Sequence, residues 1–65
     1  MFKIIFSMAN GERYSVSRFN GHPLRDETDV NCARNDIING YDTFVADDGT
    51  EIVLKHMVST KIERF

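Results

Sequence analysis

The chain has 65 residues, 42% of them hydrophobic, one cysteine and a net charge of −2. That length gives one domain, residues 1–65, with a thin core that hides only about 60% of the unfolded chain's surface. A lone cysteine excludes an internal disulfide and fits a reducing compartment, and no apolar run approaches the ~20 residues a membrane helix needs, so a cytoplasmic location and no membrane partner are expected.

Phe2, Ile4, Phe6 and Met8 alternate with Lys3, Ile5 and Ser7. A period of two marks a strand with one buried face. Asn10-Gly11-Glu12-Arg13 interrupts this apolar start too early for a signal-peptide core. Asn-Gly suits a hairpin turn with positive φ at both central residues. Residues 13–17 alternate again, with Tyr14 and Val16 inward. Residues 18–25 read as a loop, in which Asn20-Gly21 is a second turn signal and Pro23 keeps His22 out of helical geometry.

Asp26-Glu27-Thr28-Asp29 reads as a helix start. Asp26 or Thr28 can cap the free amides, and acidic residues there suit the helix dipole. Val30, Ala33 and Ile37 recur at helical spacing with Ile38 beside them. The expected body is 29–38, closed by Asn39-Gly40 as a C-terminal cap. Residues 43–46 and 50–54 flank Asp47-Asp48-Gly49 and read as a second hairpin, with Phe44, Ala46, Ile52 and Leu54 inward. Residues 56–60 read as a tight connector and 61–65 as a last short strand.

The expected fold is therefore α+β and mainly β. Five short antiparallel strands, two hairpins plus a C-terminal strand, form a small barrel or a curled sheet with one short helix. The run from Phe44-Val45-Ala46 through Asp48-Gly49 and Ile52-Val53-Leu54 to Lys61-Ile62-Glu63 resembles the closing part of SH3-like small barrels. In those, a hairpin with an acidic-Gly turn leads through one helical turn to a final strand. The layout also resembles short proteins of Gram-positive bacteria and their prophages. The chain departs from signalling SH3 domains in having no Trp and no Tyr-rich groove motif. The resemblance thus implies a barrel, but neither proline-rich peptide binding nor an active site.

Charge is unevenly spread. Lys3, Arg13, Arg18 and Arg25 against Glu12 make residues 1–25 net +3. Arg34 against eight carboxylates makes residues 26–51 net −7, and Lys55, Lys61 and Arg64 against Glu63 make the rest net +2. An overall acidic chain is a poor non-specific binder of nucleic acid, although the two basic ends would form one rim if they paired in space.

Catalytic and metal motifs are not evident. His22, Cys32 and His56 stand singly, without the close pairs that zinc sites use. On a helix, Cys32 reads as a small apolar residue, and the two histidines as a loop and a strand-end residue. Asp47-Asp48-Gly49-Thr50-Glu51 lacks the twelve-residue calcium-loop spacing, and turn chemistry accounts for it. There is no nucleophile elbow or phosphate-binding Gly-rich loop, and so small a domain is not expected to hold a pocket of about 300 Å³. We expect no enzyme, cofactor or metal.

What remains is surface. Arg13, Arg18, Phe19, Lys55, Lys61, Arg64 and Phe65 are the candidate interaction residues. Phe19, Tyr41 and Phe65 would be adhesive if two of them were exposed together. The first expectation is a protein-binding or self-associating accessory module, using open sheet edges to pair with a protein partner or with its own copy. The second is a small barrel that binds nucleic acid through aromatics and a basic rim.

Overall fold

A computed structural model describes all of residues 1–65. Strand β1, Phe2–Met8, is the centre of the fold. Strand β2, Arg13–Val16, lies on one side of it and β7, Met57–Arg64, on the other, both antiparallel. Two further two-stranded ladders join β3, Arg18–Phe19, to β4, His22–Pro23, and β5, Thr43–Val45, to β6, Glu51–Val53. Helix α1, Glu27–Gly40, separates these ladders in the chain.

Alternation in β1 does what its sequence demands. Ile4 and Phe6 are fully buried and Met8 nearly so. Their cross-strand partners lie on the same face: Val16 opposite Ile4, Tyr14 opposite Phe6, and on the other side Ile62, Thr60 and Met57. Helix α1 lies over β1 and buries Val30, Ala33 and Ile37. Leu24, Ala46, Ile52 and Leu54 complete one core of eleven residues. No polar side chain is buried. This core therefore leaves no side-chain donor or acceptor without a partner.

The turn chemistry divides in two. Asn10-Gly11 does not take positive φ at both positions: only Gly11 does, at 88°. Gly11 N–H donates to Met8 O, Met8 N–H to Glu12 O, and Glu12 N–H to the Asn10 side chain. Asp48-Gly49 repeats the pattern, with Gly49 N–H to Ala46 O, Ala46 N–H to Thr50 O and Thr50 N–H to Asp48. Both are turns closed by a left-handed glycine, in which the Asx side chain takes the next free amide. The turn with two positive φ values is Asn20-Gly21, at 52° and 80°. It joins Phe19 to His22 directly, as a two-residue hairpin turn does.

Five expectations are corrected. The residues read as a loop at 18–25 contain β3 and β4, since Asn20-Gly21 needs only two residues on each side to close a ladder. The expected connector at 56–60 is shorter and earlier: a 3₁₀ turn spans Leu54–His56, and β7 runs eight residues from Met57. Ser59 and Thr60 look like loop residues by polarity, but β1 offers them partners in Ser7 and Phe6. Gly40 is not a left-handed cap: it is the last helical residue, and Tyr41 N–H bonds Ile37 O. Finally, there are seven strands rather than five, in three separate antiparallel sheets that do not close into a barrel. The helix is also longer than 29–38. Asp26, whose carboxylate accepts from Asp29 N–H at 2.7 Å, starts it earlier.

Candidate interaction surface

The sheet has two edges, and they differ. The edge at β2 is occupied. Asp47, at the turn of the β5–β6 hairpin, donates its N–H to Ser15 O at 2.9 Å. Its carboxylate accepts from Ser17 N–H at 2.9 Å and from Ser15 Oγ at 3.4 Å. One residue thus docks the hairpin on this edge and takes up the outward Ser15 C=O and Ser17 N–H. The turn beside it is held by Asp48. The bond from Thr50 N–H keeps the Asp48 carboxyl below its ordinary value of 3.8. A carboxylate favoured by the fold adds stability above the unfolded-state pKa, and that stability is lost as pH falls through the lower folded-state value. An Asp48→Asn protein is therefore expected to show a shallower acid-unfolding limb below about pH 4 than the native chain, followed by circular dichroism. Identical limbs would contradict the assignment.

The edge at β7 is open. Phe2 and Met8 send their N–H groups away from β7, to Leu24 O and Glu12 O at 2.9 and 2.8 Å. Groups alternate along a strand, so Lys3, Ile5 and Ser7 face β7, and Glu63, Lys61 and Ser59 face back. Thr60, Ile62 and Arg64 therefore turn their N–H and C=O groups outward. None of the backbone bonds outside the ladders involves them. Near the start of β7 a bulge slips the register between Ser7 and Met8, leaving Val58 as an extra, highly exposed residue.

The face of the sheet turned away from the core carries Lys3, Ile5 and Ser7 of β1, Arg13 and Ser15 of β2, and Lys61 and Glu63 of β7. The two basic chain ends thus pair in space. Phe65 extends this face: its ring sits 5.5 Å below the Lys3 ammonium and remains 63% exposed. At the β1–β2 turn the Tyr14 hydroxyl donates to Glu12, which holds the hydroxyl above its ordinary 10.0.

No family model, curated protein or solved structure matches this chain. The functional reading therefore rests on the geometry alone.

Of the candidate residues, Arg13 and Lys61 share the outer face with Phe65 next to them, while Arg64 lies opposite Phe2 at the end of β7. Arg18 lies opposite Pro23 in the β3–β4 ladder and Lys55 lies in the 3₁₀ turn. Phe19 does not join the basic residues. It packs with Tyr41 and Phe44, ring centroids 5.3 to 6.0 Å apart. Phe19 and Phe44 are half-buried against the core and Tyr41 is 40% exposed. The rings fasten β3, the end of α1 and β5 together. Spacing gave no hint of this trio, which gathers from positions 19, 41 and 44.

His22 and Cys32 line one groove of about 550 Å³ between the β3–β4 hairpin and α1, so the expectation of no pocket near 300 Å³ is not met. No hydrogen bond links the two side chains, and no three metal-ligating residues converge anywhere in the chain. No helix is long and apolar enough to cross a membrane.

Proposed function

We propose that this chain is a non-enzymatic, cytoplasmic interaction module that binds a partner by adding a strand to β7. The open β7 edge carries the reading: it is eight residues long, its outward groups on Thr60, Ile62 and Arg64 have no partner, and the opposite edge is occupied by Asp47. An unpaired edge of that length is a template for another strand. Alternate side chains would add specificity, with half-buried Ile62 on one face and charged Lys61 and Glu63 on the other.

Selection from a random peptide display library is the test, combined with amide hydrogen exchange. Enriched peptides are expected to slow exchange at Thr60, Ile62 and Arg64. Thr60→Pro removes an outward N–H and no ladder bond, so it is expected to abolish binding while the thermal melt stays close to native. The reading fails if no peptide enriches and these amides exchange freely at every protein concentration.

A second reading has its own observation. Lys3, Arg13, Lys61 and Phe65 share an outer face that no helix covers, as in sheets that bind single-stranded nucleic acid. Labelled DNA or RNA should then bind at low salt, and absence of binding at ~100 μM, the weak end of non-specific affinity, ends this alternative.

A further inference from the structure

Resting on the strand-addition reading, we propose that the strand added at β7 is the β7 of a second copy of this chain, antiparallel and centred on Ile62. The argument is one of register. An outward-facing residue must meet an outward-facing residue of the partner, so Thr60, Ile62 and Arg64 can pair only among themselves and their neighbours at every second position. A two-fold axis can then sit at Thr60, Lys61, Ile62 or Glu63.

Charge decides among these. An axis at Lys61 puts two ammonium groups opposite one another, and an axis at Glu63 does the same with two carboxylates; both are unfavourable. An axis at Thr60 sets Lys61 against Ser59 and leaves the charges unmatched. It also needs the bulged Val58 as a regular ladder residue. An axis at Ile62 sets Lys61 of each copy opposite Glu63 of the other, twice by symmetry. Those are the closer, non-hydrogen-bonded positions, where Cα atoms stand about 4.5 Å apart. On the inner face Ile62 meets Ile62, and Thr60 meets Arg64.

Within one copy Glu63 already lies opposite Lys3 and 4.0 Å from Lys61. In the pair it gains a second cross-strand cation, so the outer face reads lysine, glutamate, lysine across the junction. Lysine on an edge strand ordinarily discourages pairing; here the glutamate two residues on turns the same lysine into a selector for one register. The two sheets become one six-stranded antiparallel sheet, joined by about six backbone hydrogen bonds through an isologous contact. The paired stretch, residues 60–64, is short against the ~1,200 Å² of a tight interface. Dissociation constants on the order of 100 μM are therefore expected.

Sedimentation velocity across protein concentration, with two charge reversals, tests this. Lys61→Glu and Glu63→Lys each place like charges opposite twice, and each alone is expected to weaken self-association about tenfold. Mixed together, the two variants present only opposite charges and are expected to form a heterodimer at least as tight as the native dimer. Thermal melts establish that each variant is folded. Should Glu63→Lys not fold, because Lys3 lies opposite it, exchange in the concentrated native protein decides instead. An axis at Ile62 protects the amide of Arg64, whereas an axis at Thr60 leaves Arg64 free and protects Val58.

A monomer at every concentration that still binds selected peptides along β7 overturns the self-pairing and leaves strand addition standing. A monomer that binds no peptide ends both. A dimer indifferent to the charge reversals, or one with an unprotected Arg64 amide, overturns the register.

Discussion

Replacing Phe6 by alanine lowers the melting temperature by roughly 15 °C or more. Phe6 is fully buried at the middle of the central strand. Its ladder partners are Tyr14 on one side and Thr60 on the other. Phe to Ala in such a place costs about 3–5 kcal/mol, transfer and cavity together. A chain of this length has a total stability of only ~3–10 kcal/mol. The lost side chain thus removes a large part of the margin. Ile5→Ala is the matched control. Ile5 occupies the outer face of the same strand and is only half-buried, so it should cost well under half as much. Urea titrations of both variants provide the check. Equal losses would mean that the two faces of β1 are not distinguished as described.

The second large effect is at the helix. Ile37→Ala is expected to destabilise the protein by about 2–5 kcal/mol, and Ile38→Ala by less than ~1 kcal/mol. Ile37 is fully buried beneath the helix, while Ile38 is 39% exposed. Side by side in the chain, they stand about 100° apart around the helix axis. The helix has little else to hold it. Its interior is rich in Asn and Asp, which are poor helix formers, and an isolated helix of 14 residues is marginal even with a good composition. Docking on β1 through Val30, Ala33 and Ile37 therefore supplies most of its stability. Loss of helical ellipticity together with loss of the sheet signal, in one transition, is the expected readout for Ile37→Ala. A helix that melts separately would contradict this coupling.

Local pattern alone was enough to determine the β1–β2 hairpin, the β5–β6 hairpin and the helix with its inward residues. In those segments the periodicity is strong and the boundaries are chemical: Asn10-Gly11, Asp26 or Thr28, Asp48-Gly49. Each signal acts within a few residues, so the chain's neighbours in space were not needed to read it. The same locality explains the misses. β3 and β4 are two residues each and have no period to detect. β7 includes polar Ser59 and Thr60 in its first half, which become strand only because β1 lies beside them. The order of elements suits a barrel or a curled sheet, but order does not say whether edges meet.

Tertiary structure alone decided the interaction surface. The pairing of β1 with β7 brought Lys3, Lys61 and Phe65 to one face, and packing gathered Phe19, Tyr41 and Phe44 away from it. Above all, the contact of Asp47 with Ser15 and Ser17 occupied one edge and left the other open. A hydrogen bond between residues thirty positions apart has no trace in local periodicity. It depends on where the folded hairpin comes to rest, and that is set by burying Ala46 and Ile52 in a core to which every element contributes only part.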